Sequence, residues 1–277
     1  MRFGGPVFTH TDDPELWARE LQRLEYTAAY CPVDSNAGEE TVAAFKKAAR
    51  DADIVIAEVG AWSNPLSSDD RERKLAREQC SKQLDLADRI GARCCVNISG
   101  SRGRKWDGPD EKNLTEETFQ MIVESVREII DAVKPERTVY SLETMPWAYP
   151  DSTESYARLI DAIDRSQFGV HFDPTNLVNS PQRYFNNAAL IEEFVDRLGP
   201  YIRSVHAKDI RLGKEFMTHL DEVRPGTGNL NYGTLLDCLD RLDRDVCLMM
   251  EHLPTAEEYD LAADYIRAVA ESHDIEL

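Results

Sequence analysis

Short apolar runs alternate with longer amphipathic stretches along this chain, and the alternation repeats eight times. Two-residue periodicity and flanking turn residues predict strands over 2–8, 26–33, 53–60, 93–99, 138–144, 168–173, 202–209 and 246–252. The 3.6-residue period predicts helices over 13–24, 39–50, 68–90, 114–134, 153–164, 187–199, 232–242 and 255–272. Start signals agree with this count. Thr11-Asp12-Asp13-Pro14, Asn113 and Thr115 with Glu116 and Glu117, and Asp151-Ser152-Thr153-Glu154 place cap oxygens and acids where a helix has unpaired N–H groups. Stop signals follow at Gly91, Lys134-Pro135 and Gly199-Pro200. Strict βα alternation demands a mainly parallel sheet, and eight units with no spare strand favour closure. The expected fold class is α/β, a single-domain (β/α)8 TIM barrel over 1–277, with its active site at the C-terminal rim of the strands.

Composition narrows the partners. With 32 basic and 51 acidic residues the formal net charge is −19, a field that repels nucleic acid and anionic membranes. No apolar run approaches the roughly 20 residues of a membrane span, and the N-terminus lacks the pattern of a secretory signal, so the expected location is the cytoplasm. The six cysteines contain no C-x-x-C, and Cys94, Cys95 and Cys247 lie in apolar runs, so reduced, buried thiols are expected. No G-x-G-x-x-G follows the first strand, which removes the usual support for a dinucleotide fold.

The candidate chemistry lies where four apolar runs stop: Leu-Glu143-Thr, His171-Phe-Asp173, Val-His206-Ala-Lys208-Asp209 and Met-Met-Glu251-His252. Taken singly, each residue has an ordinary explanation: a rim ion pair for Glu143, an Asx turn for Asp173 before Pro174, a core imidazole for His206. Delivered by consecutive strands to one rim, three carboxylates and an imidazole repel one another unless a cation orders them. An oxygen-rich set with one nitrogen suits Mn²⁺ or Mg²⁺ and accommodates Zn²⁺ or Co²⁺.

The order Glu143, Asp173, His206, Glu251, with Phe-Asp173-Pro-Thr-Asn176, His206-Ala-Lys208-Asp209 and Gly226-Thr-Gly228-Asn-Leu-Asn-Tyr232, resembles the sugar phosphate isomerase/epimerase group of xylose-isomerase-like TIM barrels. The resemblance implies that all four residues bind one divalent ion. It further implies that Glu143 and Glu251 exchange protons with a sugar or keto-sugar through an enediolate, the chemistry of an isomerase or epimerase. Ketose 3-epimerases of this group carry a histidine three residues after the metal Asp. Here that position is Asn176, whose amide hydrogen-bonds a hydroxyl but does not ionise near neutrality.

Further substrate-binding candidates are Lys208 and Arg211 for oxygen or anionic groups, and Trp62 and Trp147 for stacking on a sugar ring. Glu58 and Asn97, near the ends of the third and fourth strands, are candidates for hydroxyl contacts. His171 reads as a core residue below Asp173, and His252 as facing away from Glu251. The glycines of 224–232 read as a turn through which backbone approaches a ligand. The same resemblance reaches AP endonucleases, but Leu220 and Glu222 stand where their zinc cluster uses Asp and His, and the net charge opposes DNA. Two alternatives remain. One is a lyase or dehydratase acting on an inosose or 3-keto-glycoside through the same enolate; the other is a sugar-binding barrel without catalysis. A small-molecule carbohydrate is the expected partner, and rim aromatics leave room for a homo-oligomer.

Overall fold

A computed structural model describes residues 1–9 and 11–277. The elements in chain order are β1 (Arg2–Gly5), α1 (Pro14–Arg23), β2 (Ala28–Tyr30), α2 (Glu39–Asp51), β3 (Val55–Gly60), α3 (Asp70–Ile90), β4 (Cys94–Asn97), α4 (Glu116–Val133), β5 (Val139–Glu143) and α5 (Thr153–Ile163). They continue with β6 (Phe168–Phe172), α6 (Pro174–Leu177), α7 (Pro181–Phe185), α8 (Asn187–Leu198), β7 (Ile202–Ala207), β8 (Asp209–Leu212), β9 (Leu220–Val223), α9 (Tyr232–Asp240), β10 (Cys247–Met250) and α10 (Ala256–Ser272). Eight parallel strands close into a barrel in the order β1-β10-β7-β6-β5-β4-β3-β2, and each expected strand and helix is present.

The helices start where cap chemistry places them. Asp13 accepts from the backbone N–H groups of Glu15 and Leu16, Thr115 from Thr118, and Ser152 forms a reciprocal capping box with Ser155. Gly91, at φ 83°, ends α3 in the left-handed region that glycine adopts without strain. Each helix then buries its apolar stripe against the outside of the barrel. Phe194 of α8 stacks on Phe172 of β6 at 4.0 Å, and burying such a ring contributes about 1.5–3 kcal/mol. Ala28, Ala57, Cys247 and the longer Met249 form a separate buried cluster inside the barrel.

Alternation along the strands decides which residues reach that interior. In β5, Tyr140 and Leu142 join the outer core while Ser141 and Glu143 turn inward; in β10, Leu248 and Met250 pack outward and Met249 inward. The β2–β3 pairing shifts register between Ala29 and Tyr30, and Ile56 and Val59 both belong to the outer core. That irregularity turns Glu58 and Gly60 inward.

The connection after β7 departs from the expected irregular loop. β8 and β9 form an antiparallel hairpin pairing Asp209 with Val223 and Leu212 with Leu220. The connection after β6 likewise contains α6 and α7, capped by Asp173 and Ser180. No helix is long and apolar enough to cross a membrane among the described residues.

Candidate metal centre

Successive strands β10, β7, β6 and β5 bring Glu251, His206, Asp173 and Glu143 to one side of the barrel mouth, with one ligand atom from each inside a 4.8 Å sphere of mutual distances. His206 Nδ1 lies 2.7 Å from Glu251 Oε1, 3.0 Å from Glu143 Oε1 and 3.8 Å from Asp173 Oδ2. Asp173 is placed by a reciprocal pair with Thr144, whose hydroxyl donates to the Asp173 carbonyl at 2.8 Å and accepts from its N–H at 2.9 Å. Its Oδ1 caps α6 through the Asn176 N–H, which leaves Oδ2 aimed into the cluster.

Lys208 enters the same space from the end of β7. Its Nζ is 2.8 Å from Asp173 Oδ2 and 3.4 Å from Glu143 Oε1, and it pairs closely with Glu251 Oε1. With His206 neutral, as a metal ligand must be, three carboxylates and one ammonium leave two uncompensated negative charges, which a divalent cation would neutralise. Asp173 Oδ2 and Glu251 Oε1 are buried oxygens with no properly directed hydrogen bond. Buried carboxylate oxygens that share one ammonium beside an imidazole nitrogen form a donor set that fits a metal ion.

The electrostatics follow from this crowding. Burial raises the Asp173 carboxyl, but Lys208 and His206 outweigh it and hold the group well below the ordinary range. Burial likewise opposes ionisation of Glu251, yet His206 and Lys208 bring it down to about 2. Burial disfavours the charged forms of His206 and Lys208, and the surrounding carboxylates override it, raising both. A metal and a proton therefore compete for His206 Nδ1.

Beneath His206 lies a carboxylate that strand-end reading assigns to substrate. Glu58 Oε1 is 3.2 Å from His206 Nε2, and Oε2 is 2.9 Å from His171 Nε2. With Glu58 only 2% exposed, it forms the floor of the site beneath the two imidazoles. An Nε2–H donated to Glu58 leaves Nδ1 as the ligand atom, the arrangement expected of a metal-bound histidine. Asn97 also departs from the expected role, for a different reason. It shares the outer face of β4 with Cys95, and its amide donates to the Ser63 carbonyl at 3.2 Å and Cys80 Sγ at 3.3 Å, so it fastens the β3 loop to α3.

The remaining candidates separate by position. Asn176 directs its amide to Glu143 Oε1 at 3.2 Å and the Thr144 carbonyl at 3.1 Å, so it orients a predicted ligand. Trp62 is 46% exposed at the rim, while Trp147 donates from Nε1 to the Asp107 carbonyl at 3.0 Å. Arg211 is exposed on β8, and no hydrogen bond or ion pair joins it to the cluster among the described residues. His252 adopts φ 61° and swings back over the rim, with Nδ1 3.1 Å from Glu222 Oε1 and Nε2 3.5 Å from Glu251 Oε2. The left-handed backbone overrides the alternation that would turn it away.

Two further features buttress the strand ends, of which Tyr156 carries no distinctive sequence signal. The Tyr156 hydroxyl, buried between β5 and β6, donates to the Leu142 carbonyl at 2.6 Å and accepts from the Leu142 and His171 N–H groups. It completes strand pairing directly below Glu143 and Asp173. The Gly226–Leu230 segment wraps the Asp209 carboxylate, which accepts from the N–H groups of Gly226, Gly228, Ile210 and Leu230 at 2.8–3.0 Å. A Cβ at Gly228 would lie 2.3 Å from Asp209 Oδ1. These glycines approach a side chain of the protein, where the sequence suggests a ligand.

The chain belongs to the xylose isomerase-like TIM barrel family, whose profile matches residues 15–269. Solved structures of the same fold carry several chemistries. Endonuclease IV from Thermus thermophilus superposes with a TM-score of 0.73 at 15% identity, covering 98% of this chain and 100% of the other. The 3-keto-D-glucoside 4-epimerase of E. coli gives 0.68 at 15% identity, covering 97% and 99%. A probable 3-DHS dehydratase from Bacillus anthracis gives 0.70 at 15% identity, covering 98% and 99%. No curated protein matches the chain.

Proposed function

We propose that the protein is a divalent-metal-dependent isomerase or epimerase of a sugar or keto-sugar, with Glu143, Asp173, His206 and Glu251 holding Mn²⁺ or Mg²⁺. The observation that carries this reading is the convergence of three carboxylates on His206 Nδ1, with Glu143 and Glu251 at the two ends of the arc. Zn²⁺ and Co²⁺ satisfy the same donors.

The bound ion supplies a Lewis acid that polarises the substrate carbonyl. The chain supplies the rest. Glu143 and Glu251 approach from non-adjacent strands, so one takes a proton from the carbon beside the carbonyl while the other returns one to the opposite face or the neighbouring atom. Asn176 fixes the Glu143 oxygen, and the Lys208 ammonium stabilises the enediolate negative charge. Glu58 and His171 hold the His206 ring beneath. A carbohydrate is the small-molecule partner, and a cytoplasmic location accords with the reduced cysteines.

One observation favours the lyase or dehydratase as a second reading. A hydrogen bond to Glu222 favours the charged form of His252 despite partial burial, and its Nε2 lies 3.5 Å from Glu251 Oε2 at the rim. Expulsion of a β-leaving group needs such an acid. Retention of all four rim ligands argues against a barrel that only binds sugar. The test is incubation of the Mn²⁺-loaded protein in D₂O with ketoses, inososes and 3-keto-glycosides. Deuterium beside the carbonyl without elimination supports the epimerase; loss of water or aglycone supports the lyase; neither event, with no bound metal, sinks both.

A further inference from the structure

Beside the mouth, the loops following β3 and β4 frame a groove of about 880 Å³ that the four-ligand centre does not use. Trp62 and Trp106 line it, 46% and 39% exposed, with Arg104, Lys105, Lys82 and Leu75. Exposed indoles are costly unless something covers them, and two in one groove form a stacking platform.

The groove is built in advance. Asn64 donates to the Ser101 carbonyl at 2.9 Å and accepts from the Ser101 N–H at 2.9 Å, and so stitches the two loops together. Asn97 holds Ser63 from below through its N–H and carbonyl, both at 3.2 Å. Trp147 braces the neighbouring turn through Asp107. The groove also meets the barrel mouth. Gly60 points inward two residues beyond Glu58, and a Cβ there would lie 2.4 Å from Trp62 Nε1. A side chain at Gly60 would clash with that indole, so glycine lets Trp62 lie against the strand end while it lines the groove.

Its charge runs against the rest of the molecule. In a chain of net charge −19, Arg104 and Lys82 form no ion pair among the described residues. The two acids of the groove are engaged, Glu72 by the Ser67 hydroxyl at 2.9 Å and Glu78 by Lys74 at 3.9 Å. Two indoles and two cations free of ion pairs among the described residues, lining one groove, match a ring that carries an oxyanion. A nucleic acid would meet the same cations, but the acidic surface around them repels a polyanion.

We infer that this groove is an outer subsite for a ring bearing a carboxylate or phosphate, attached to the sugar that reacts at the metal. The inference rests on the keto-sugar reading above and narrows its substrate to anionic glycosides. The ring lies between Trp62 and Trp106, and the oxyanion meets Arg104 and Lys82.

The probes are the 3-keto forms of methyl, phenyl, 4-carboxyphenyl and 4-phosphophenyl β-glucoside, followed by deuterium wash-in with the Mn²⁺-loaded protein. KM for an anionic probe is expected about tenfold below that of the methyl compound, and the ratio should collapse in Trp106→Ala and Arg104→Ala. Preference for one anionic probe over the other identifies carboxylate or phosphate as the source. Equal KM for phenyl and both anionic probes overturns the oxyanion assignment, and equal KM for all four overturns the subsite. A second measurement separates the groove from the reaction: unoxidised 4-carboxyphenyl β-glucoside titrated into metal-free protein, read by tryptophan fluorescence. Saturation that Trp106→Ala abolishes, with no wash-in on any probe, supports the groove and sinks the epimerase reading. Wash-in without preference or saturation does the reverse.

Discussion

The barrel carries a cation–carboxylate cluster at each end, and the two differ in charge balance and water. At the N-terminal end, Arg2 binds Asp53 Oδ1 at 3.0 Å, the Asp53 carbonyl at 2.9 Å and Asp245 Oδ1 at 3.1 Å, with the Asp53 side chain 82% exposed. At the C-terminal end, Lys208 meets three carboxylates and is 2% exposed. The first cluster joins the starts of β1, β3 and β10 in contact with solvent, which supplies whatever the ions lack. The second is dry and over-acidic, a state that burial penalises unless another cation completes it. Stability is therefore expected to track the lower cluster, and metal binding with turnover the upper.

The strongest test of that division is Glu251→Gln. It should reduce wash-in about 10²–10⁴-fold, a far larger effect than any lowering of the metal-free protein's melting temperature. Unchanged turnover would remove Glu251 from proton transfer. Glu58→Gln should weaken Mn²⁺ binding about 10–100-fold by calorimetric titration, since it disturbs the partner of His206 Nε2 without touching a ligand oxygen. An unaltered affinity would reduce Glu58 to a core polar group.

Acidity gives the third test. The carboxylates around His206 outweigh its burial and raise its pKa above the unfolded value, so a metal competes with a proton for the ring. Apparent affinity should rise with pH for as long as the proton competes for His206 and level off above its folded pKa. The same linkage makes the metal-free protein lose the His206 contribution as pH rises through that value. Glu251 acts in the opposite direction: its contribution is present above the unfolded value of 4.5 and is lost as pH falls toward about 2. Urea midpoints across both ranges check the two signs. Saturating Mn²⁺ at about a hundred times Kd should stabilise the wild type by about 2.7 kcal/mol. The smallest effect belongs to the lower cluster: Arg2→Ala should cost about 1–2 kcal/mol in urea unfolding and leave Mn²⁺ affinity alone.

Strand order and the four rim residues were legible because each ligand ends an apolar run, and burial makes such runs alternate faces. Glu143, Asp173, His206 and Glu251 could be found by following that alternation. Glu58 and Asn97 show where it stops working. The register shift beside β3 turns Glu58 into the floor, and Asn97 follows its alternation to the outer face, where α3 waits. Neither a bulge nor a helix contact is written in the local pattern. The β8–β9 hairpin was hidden for a related reason: its strands are four residues each, and their apolar positions are too few to set a period.

Lys208 and Asp209 are adjacent residues facing opposite ways. The Lys208 carbonyl accepts from the Tyr232 hydroxyl at 2.8 Å, and Asp209 is gripped by four N–H groups of the chain. A free lysine loses up to about 2 kcal/mol of rotamer entropy when it is immobilised, and here folding has already imposed that loss. In the proposed reaction a sugar would meet an ammonium with little left to order, so that the attraction between them would be retained as affinity and speed.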